Sequence, residues 1–503
     1  MFSLTLLAVF LVFVFLLQPL TVYLIDAKRL RRFPNQNVLS GITNLGYMIE
    51  RWGGFRSKSL HETHKNHPIV RIGPNSLSFS TANAIKAIYG HSTPCVKGDM
   101  YAVSSGPYPN ILDSVDKGVH AHKRRLLSHA FATRNLEQWE FKIVDKVERL
   151  VRQFDRICSD ADVILDYRKW TNLFTLDAIV DIALSHRLGC LDRGDDMVPI
   201  CSAAGREQTV SYIGSLHAEK RAASVLVWSS DWFRPLQAVL RTIPGFFRDQ
   251  YSEGQGYGEM IRYLTRRRIE RYRSGEELDD FLRYVLQDKE REPRDVEIGE
   301  VEAEVNVLLD AGSDTTAIAL SHAMYYLVRN PRTFHRLRQE LDSALQGLDV
   351  VVPYSQVKDL PYLRACLDES LRLSPPSAAG LNRKTGPEGM WIDGEWIPGN
   401  TTVSVPAYTA HRNPAIFPEP EEYRPERWLG DGAKGLQESF IAFSAGARGC
   451  IGRNITYMEQ LILIATLVRR FDFALIDPEW KVAYEEAFLL WPTSMPLKVR
   501  LRS

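Results

Sequence analysis

A single cysteine, Cys450, lies in a glycine-rich segment whose residue types could bind a metal. Residues 443–452 read Phe-Ser-Ala-Gly-Ala-Arg-Gly-Cys-Ile-Gly, and a long apolar helix is expected to follow them. The helix N-terminus and free backbone N–H groups would stabilise a thiolate at this position. Such a thiolate could be the axial ligand of a haem iron, and Arg448 could reach a haem propionate. A lone cysteine is more often a buried structural residue, so the rest of the chain has to decide between the two interpretations.

The sequence Ala-Gly-Ser-Asp-Thr-Thr at residues 311–316 is unusual for the middle of a helix, yet the apolar spacing predicts one long helix over residues 300–329. A glycine inside a helix costs about 1 kcal/mol, and such a local violation often marks a functional site. Hydroxyl groups that bond back to the preceding turn can open a helix and leave room for water or dioxygen. The alternative is a kinked helix whose polar residues face a neighbouring element.

Two charged motifs accompany these segments. Glu369 and Arg372 share one face of a helix predicted over residues 359–373. Such pairs are usually exposed and contribute little to stability, but this helix is apolar and Arg427 offers a third partner later in the chain. His120 and Arg124 lie four residues apart in a basic segment, which could also be a solvated helix face.

Together these segments resemble the cytochrome P450 family. Residues 443–452 match its haem-binding signature, Phe-x-x-Gly-x-Arg-x-Cys-x-Gly, at every defined position, and residues 311–316 resemble its oxygen-activation motif. The resemblance covers residues 34–503. Within the family, the sequence is similar to those of filamentous-fungal members. It implies a fold that is mainly α with a minor β part, the cytochrome P450 fold, preceded by one N-terminal transmembrane helix.

The resemblance implies a role for each motif residue. Cys450 would be the thiolate ligand of haem b, while Thr315 would hold the activated dioxygen and Asp314 would help to relay protons. The residues expected around the porphyrin and its propionates are His120, Arg124, Arg383, Phe443, Gly446, Arg448 and Gly452. Glu369, Arg372 and Arg427 would form a buried structural triad, in which loss of one partner strands a buried charge.

Three positions depart from the family pattern. Asn382 precedes Arg383 where many relatives have proline, which weakens the assignment of that arginine. Trp428 stands in place of a more frequent phenylalanine and is interpreted as a tolerated aromatic replacement. Thr456, beside the cysteine loop, replaces a frequent alanine, and the sequence alone assigns it no consequence.

Composition restricts the partners, the metal or disulfide sites and the cellular location that are expected of the protein. The chain has 503 residues, a formal net charge of +1 and six cysteines without C-x-x-C pairing. The charge argues against a nucleic-acid partner, and the scattered cysteines argue against a zinc site or a disulfide framework. Residues 1–25 are apolar enough for a membrane signal-anchor helix, and residues 26–33 form a basic cytosolic flank. We therefore expect a single-pass protein of the endoplasmic reticulum membrane whose catalytic domain, residues 34–503, faces the cytosol.

Helical spacing dominates the catalytic domain, with short strands near both ends. The sequence predicts two strands within residues 67–80, helices from 120 to about 183 and a last long helix over 451–470. Residues 188–255 are expected to be irregular, and such a region could be mobile and could cover a cavity.

The expected activity is a haem-dependent monooxygenation of a lipophilic small molecule in fungal secondary metabolism. Electrons would come from NADPH through a separate NADPH-cytochrome reductase, with cytochrome b5 as a second electron donor, and Lys123, Arg125 and Arg453 are candidate docking residues. One alternative is a reductase-independent isomerase or dehydratase, although such members tend to lose the threonine present here as Thr315. Another is a non-enzymatic haem carrier or sensor, which would not need the pair Asp314 and Thr315.

Overall fold

The computed structural model describes residues 13, 17–158, 163–202, 205–288, 290–345, 347 and 351–502. Helices dominate these residues. The α-helices are α1 (Gln18–Ile25), α2 (Leu45–Trp52), α3 (Arg56–His64), α4 (Ala82–Tyr89), α5 (Asp99–Ser104), α6 (Lys117–Ser128), α7 (Thr133–Gln138), α8 (Glu140–Ile157), α9 (Tyr167–Leu184), α10 (Cys190–Arg193), α11 (Tyr212–Leu226), α12 (Ser230–Leu240), α13 (Phe246–Arg273), α14 (Phe281–Leu286), α15 (Ile298–Arg329), α16 (Pro331–Ala344), α17 (Tyr354–Val357), α18 (Pro361–Leu373), α19 (Ala407–Ala410), α20 (Ala433–Ser439) and α21 (Arg453–Arg470). Short 3₁₀ turns cover Leu30–Arg32, Pro425–Trp428 and Gly446–Arg448.

The strands form one larger sheet and several small ones. They are β1 (Ile69–Gly73), β2 (Ser76–Phe79), β3 (Val96–Lys97), β4 (Val163–Asp166), β5 (Met197–Cys201), β6 (Glu207–Ser211), β7 (Arg383–Lys384), β8 (Met390–Ile392), β9 (Glu395–Ile397), β10 (Thr402–Ser404), β11 (Phe471–Leu475), β12 (Tyr484–Ala487), β13 (Leu489–Pro492) and β14 (Pro496–Leu501). The five-stranded sheet has the order β1-β2-β10-β7-β3, and only its β2–β10 pair is parallel. A three-stranded antiparallel sheet has the order β11-β14-β4, and β5–β6, β8–β9 and β12–β13 are hairpins.

The central helix α15 organises the core, because it packs against α9, α13, α18 and α21. Its neighbours α9 and α21 are buried along most of their length. Gly312 lies where α15 meets α9, and a Cβ at this position would be 2.5 Å from Cδ1 of Ile179. The helix-breaking glycine is therefore accounted for by close helix packing. The helix is continuous from Ile298 to Arg329, so the local opening expected at residues 311–316 does not occur.

Most of the predicted elements are confirmed. The two strands within 67–80 are β1 and β2, and the helices expected over 300–329, 359–373 and 451–470 are α15, α18 and α21. The expectation for residues 188–255 is wrong. Its described part forms α10, the β5–β6 hairpin, α11, α12 and the start of α13. Buried residues such as Leu226, Phe233 and Tyr251 form one apolar cluster there, so tertiary packing orders a segment whose sequence lacks clear periodicity.

The predicted membrane anchor over residues 1–25 lies largely outside the described residues. Its described end, from Gln18 to Ile25, is helical and has no buried residue. Among the residues that the structure describes, no helix is both long and apolar enough to cross a bilayer. The anchor therefore stays a prediction from the sequence.

Candidate active site

Two observations indicate a cavity beside Cys450. The residue lies deep within the molecule, yet its side chain has an exposed surface. It immediately precedes the N-terminal end of α21, and the backbone N–H groups of Gly452 and Arg453 donate hydrogen bonds to its sulfur. Burial raises the pKa of this thiol, whereas these donors and the charge of Arg124 act in the opposite direction. A metal cation at the sulfur would favour the thiolate that the donors already support.

The loop that presents Cys450 is closed by backbone hydrogen bonds. The Cys450 N–H donates to the Phe443 carbonyl at 2.8 Å, and the Gly449 N–H donates to the Gly446 carbonyl at 3.0 Å. Gly446 has a φ of +64°, and a Cβ on it would lie 2.0 Å from the carbonyl oxygen of Tyr89. Gly446 is thus required by the close approach of α4.

Gly452 differs from Gly446. A Cβ on Gly452 would meet the Cys450 sulfur at 3.8 Å, an ordinary contact distance. The protein atoms alone therefore do not demand glycine at this position. The ring of Phe443 is half-buried and packs 5.1 Å from the ring of Tyr457, which fixes the start of the loop against α21.

Helix α15 has exposed surface on the stretch that is joined to α21, the helix that follows Cys450. Ala311 is exposed and Thr315 is partly exposed, although most of the surrounding helix is buried. They lie one turn apart, so both belong to one face of α15. The next residue along, Thr316, bonds Thr456 of α21 at 3.2 Å between hydroxyl oxygens, which joins this part of α15 to the helix that follows Cys450. The Thr315 hydroxyl donates to the Ala311 carbonyl at 2.6 Å.

Asp314 points away from this cavity and is completely buried. Arg168 Nη2 lies 2.6 Å from its Oδ1, while His217 Nε2 and Trp491 Nε1 lie 3.0 Å and 2.5 Å from its Oδ2. Burial alone would raise the pKa of this carboxyl, but His217, then Arg168 and Lys220, hold the pKa well below its usual range. Asp314 is therefore an ionised anchor between α15, α9, α11 and β13.

The basic residues expected near haem propionates converge on one region and bond only to backbone carbonyl groups. Arg448 donates to the carbonyls of residues 114–116, the closest at 2.7 Å. Arg124 Nη1 donates to the Gly449 carbonyl at 2.7 Å. Arg383 Nη1 donates to the carbonyl of the residue before it at 3.0 Å. Among the described residues, no carboxylate forms an ion pair with these three guanidiniums.

A further cation, Lys97, belongs to this group because its strand β3 pairs with β7 in a register that places it opposite Arg383. Burial is the largest influence on Lys97, His120 and Arg448, and repulsion from the neighbouring cations adds to it. Together these effects lower the pKa of His120 to about 4 and that of Arg448 to about 10. A partly buried cluster with excess positive charge, beside a cavity that exposes a cysteine sulfur, fits a planar cofactor that carries carboxylates.

Glu369 forms a buried ionic centre behind the cysteine loop. Arg372 Nε and Nη2 each donate to a different Glu369 oxygen at 2.8 Å, and Arg427 Nε donates to Oε1 at 2.9 Å. The Arg424 N–H and Trp428 Nε1 also donate to this carboxylate, at 2.9 and 2.8 Å. The replacement of phenylalanine by Trp428 is thus more than an exchange of aromatic rings, because it adds a hydrogen bond.

Hydrogen bonds connect this centre to the cysteine loop. Arg372 donates to the His411 carbonyl at 2.8 Å, and the His411 ring accepts from the Ile441 N–H at 2.9 Å through Nε2. Its Nδ1 lies 3.1 Å from the Arg372 carbonyl, so Nδ1 carries the proton. Burial lowers the pKa of His411 to about 3, which keeps the ring neutral and both bonds intact. Ile441 precedes the loop that ends at Cys450.

Comparison with known proteins identifies the family. The family model described as Cytochrome P450 matches residues 28–499. The chain belongs to the cytochrome P450 family. Benzoate 4-monooxygenase of Aspergillus niger is 30% identical over 479 residues, covering 92% of this chain and 92% of its own. Trichothecene C-15 hydroxylase of Fusarium sporotrichioides is 30% identical over 484 residues, covering 94% and 93%. A cytochrome P450 monooxygenase of Penicillium oxalicum is 27% identical over 473 residues, covering 92% and 89%.

Membership of the cytochrome P450 family implies both cofactor and reaction class. Members use a haem whose iron is held by a cysteine thiolate, and the relatives are monooxygenases and hydroxylases. This cytochrome P450 is therefore a monooxygenase of the oxidoreductase class. The cavity at Cys450 and the excess of cations around it fit the haem and its two carboxylates.

Sequence reasoning missed several residues of this cytochrome P450. Lys97 in the cation group, and Arg168, His217 and Trp491 around Asp314, are far from the motifs they support and follow no recognisable spacing. Only the sheet register and the packing of α9, α11 and β13 against α15 bring them into place.

One predicted docking residue for a reductase is wrong. Lys123 is buried, and its Nζ lies 3.0 Å from Oε1 of Glu304 on α15. Because that ammonium group already has a carboxylate partner in the interior, it is not available on the surface. Arg125 and Arg453 are exposed, so they stay candidates.

Replacement of Glu369 by glutamine tests the ionic centre of this cytochrome P450. The amide preserves the shape but leaves the Arg372 and Arg427 guanidiniums buried without a counter-charge. We expect a loss of about 3–5 kcal/mol in the free energy of unfolding. Chemical denaturation followed by circular dichroism measures it.

The matched control is Trp428→Phe, which removes one hydrogen bond to Glu369 and no charge. This variant is expected to lose about 1–3 kcal/mol. Equal losses in the free energy of unfolding in Glu369→Gln and Trp428→Phe would contradict the conclusion that the charge of Glu369 provides the stabilisation.

Proposed function

We propose that this monooxygenase hydroxylates or otherwise oxidises a lipophilic small molecule in the secondary metabolism of a filamentous fungus. The observation that supports it most is the accessible surface of Cys450, together with that of Ala311 and Thr315 on the stretch of α15 joined to the helix after Cys450. The relatives named benzoate 4-monooxygenase, from Aspergillus niger, and trichothecene C-15 hydroxylase, from Fusarium sporotrichioides, also support it.

In this proposal different residues bind different parts of haem b. Cys450 is the thiolate ligand, in a loop shaped by Phe443, Gly446 and Gly452. The carboxylates of the haem meet a basic group formed by Arg124, Arg383 and Arg448 together with Lys97, and the His120 ring lies beside them as a neutral hydrogen-bond donor. When bound, the haem supplies the redox-active iron at which dioxygen is activated.

Thr315 and Asp314 have different parts in the proposal because they face different ways. The Thr315 hydroxyl borders the cavity and can hold a hydrogen bond or pass a proton there. Asp314 is satisfied by three donors and stays ionised. A proton relay through Asp314 requires its carboxylate to break at least one of these hydrogen bonds. In the structure as it stands, Asp314 instead fixes the helical turn that carries Thr315.

The expectation of a lipophilic substrate is supported by an apolar cluster near the hairpin β12–β13. Val225 and Leu226 at the end of α11 pack in one cluster with Val103 of α5 and with Phe488. Phe488 occupies the tip of the hairpin, between the paired residues Ala487 and Leu489, with a φ of +64°. A bulky residue in this conformation is strained, and such strain is found where a side chain has to be aimed at a site.

Electrons reach the haem, in this proposal, from NADPH through a separate NADPH-cytochrome reductase, with cytochrome b5 as a second donor. Arg125 and Arg453 are the exposed basic residues closest in sequence to the segments that hold the cofactor. Exposed cations of this kind attract an acidic partner surface and raise the rate of association.

We place the protein on the endoplasmic reticulum membrane, and an exposed apolar patch supports this. Ile49 and Trp52 of α2 are exposed, as are Val239, Ile243 and Phe246 around the link between α12 and α13. The rings of Trp52 and Phe246 lie 4.6 Å apart, which joins both parts into one surface. Contiguous apolar surface of this kind marks a membrane or protein interaction site.

The patch lies close to the described end of the predicted anchor. Tyr23 of α1 packs so close to Gly41 that a Cβ there would be 2.6 Å from the ring, and α2 begins shortly afterwards. An anchor helix at residues 1–25 would therefore bring this patch to the bilayer surface.

Replacement of Thr315 by alanine tests the reaction class. In the full-length enzyme supplied with NADPH and reductase, we expect product formation to fall by about 10²-fold while NADPH oxidation continues, because proton delivery fails. The assay compares product formed with NADPH consumed. Ser313→Ala is the matched control, since its hydroxyl bonds back to Leu309 in the same way but is fully buried. Turnover that needs neither NADPH nor reductase would contradict a monooxygenase.

Hydrogen exchange tests the membrane proposal. In full-length protein embedded in phosphatidylcholine nanodiscs, backbone amides of residues 45–52 and 239–247 are expected to exchange more slowly than in detergent, because lipid covers them. Phe141 of α8 is also exposed and apolar, and its segment serves as the control. An equal decrease in the exchange rate in these two segments and in the segment of Phe141 would argue against a specific membrane-binding face.

A further inference from the structure

A cleft opens beside the C-terminal end of α15. Tyr325, Tyr326 and Arg329 of this helix form one side of it, and Tyr408 and Tyr484 lie among the residues of the other sides. The cleft has a volume of about 650 Å³, which is within the range of sites that bind small organic molecules. Its size therefore allows a ligand, and its side chains decide which kind.

This cleft is separate from the site at Cys450. The residues of α15 that line it follow Thr315 by 10 to 14 positions, which is about 15–21 Å along the helix axis. Among the described residues, none of those assigned to the cysteine loop or to the cation group around Arg448 lines the cleft. A ligand held here would therefore occupy a different site from the haem.

Aromatic rings form the walls of the cleft and hold one another in place. Tyr326 stacks on Tyr423, with ring centroids 5.1 Å apart and planes inclined by 12°. The ring of Phe55 lies 5.3 Å from the rings of both Tyr408 and Tyr484. Rings that are already held by neighbours lose little freedom when a ligand binds, and they pack well against other aromatic groups. The walls thus favour an aromatic ligand.

The charges that line the cleft favour an anion. Its cations are Arg329, Arg412 and Lys481, and its carboxylates are Glu421 and Glu422. Arg412 Nε lies 3.2 Å from Glu421 Oε2, so this pair is neutral. No ion pair within the described part of the chain neutralises the other two cations or the second carboxylate. The lining therefore retains one net positive charge.

A cluster of tyrosines can also bind an organic cation through the faces of its rings. In this cleft the protein's own cations occupy such positions. Arg412 Cζ lies 3.7 Å from the centroid of the Tyr408 ring, and Arg329 Cζ lies 5.8 Å from that of Tyr325. These guanidiniums would repel a cationic ligand, so the arrangement favours an aromatic anion over an aromatic cation.

Arg329 also positions the segment that carries Lys481. Its Nη1 donates to the Trp480 carbonyl at 3.0 Å, and the ring of Trp480 packs 5.9 Å from that of Tyr325. Lys481 follows directly and is exposed. Its backbone is thus fixed beside the cleft, and its ammonium group is available for a charge-assisted hydrogen bond.

We propose that this cleft is a second binding site, which takes a small aromatic carboxylic acid. The aromatic part of the acid packs among the tyrosine rings, and its carboxylate binds Lys481 and Arg329. The cleft also adjoins the ionic centre at Glu369, because Arg372 Nη2 donates to the Glu422 carbonyl at 3.0 Å. A bound acid therefore stabilises the folded protein next to that centre.

Calorimetric titration of the full-length ferric holoenzyme tests the site, with 1-naphthoate as the probe. Excess 4-phenylimidazole first occupies the haem iron, so that the heat released by the probe reports binding elsewhere. We expect 1-naphthoate to bind more tightly than neutral 1-naphthamide and than cationic (1-naphthylmethyl)trimethylammonium. Binding that is lost in the presence of 4-phenylimidazole would place the probe beside the haem and overturn the proposal. Tighter binding of the cation would overturn it as well.

Two substitutions at exposed residues should change the affinity in opposite directions. Lys481→Gln removes a positive charge and is expected to weaken 1-naphthoate binding about tenfold, whereas Glu422→Gln removes a negative charge and is expected to strengthen it. The matched control is Lys498→Gln, which changes an exposed lysine of β14 outside the cleft and should leave the affinity as it is. Equal affinities in Lys481→Gln and Lys498→Gln would contradict the site.

Thermal unfolding gives a readout that does not depend on the heat of binding. A fixed concentration of 1-naphthoate should raise the Tm of the 4-phenylimidazole-bound wild type and of Lys498→Gln by the same amount. The rise should be smaller in Lys481→Gln, because a ligand stabilises the folded state in proportion to its occupancy. An equal rise in all three proteins would show that the probe binds outside the cleft.

Discussion

The buried carboxylate of Glu369 is the interaction on which the rest of the site depends. Two guanidiniums, one indole N–H and one backbone N–H converge on it, and all its charged partners are out of contact with water. Such a centre is stable only when complete, because any missing partner leaves a buried charge unpaired. Through Arg372 and the neutral ring of His411 it fixes Ile441, and thereby the start of the loop that presents Cys450.

In α15, the residues that anchor the helix differ from the residues that border the site. Asp314 fastens the helix to α9, α11 and β13, whereas Ala311 and Thr315 leave the neighbouring face of the helix small and open. Adjacent residues of a helix point in different directions, so one short motif can do both. The motif therefore holds α15 in place as well as contributing to the chemistry. Gly312 allows α15 to pack closely against α9.

Local patterns in the sequence predicted the elements that carry the site, but not the residues that complete it. The cysteine loop, α15 and α18 follow from short spacing rules, because their functional residues are neighbours in the chain. Lys97 joins the cation group only through sheet register, and His217 reaches Asp314 only through packing of α11. The regular elements within residues 188–255 were missed for the same reason, since their order comes from contacts between distant apolar residues. The Thr456 hydroxyl likewise meets Thr316 only because α21 packs against α15.

The central claim is that the Cys450 thiolate binds the haem iron. The most direct measurement is the absorption difference spectrum of the reduced, carbon monoxide-bound full-length protein, compared with Cys450→His and with Cys366→Ala, which changes a buried cysteine outside the loop. We expect the wild type and Cys366→Ala to show the long-wavelength Soret band typical of thiolate ligation, and Cys450→His to show the shorter-wavelength band of a neutral ligand. A long-wavelength band that persists in Cys450→His would contradict the account.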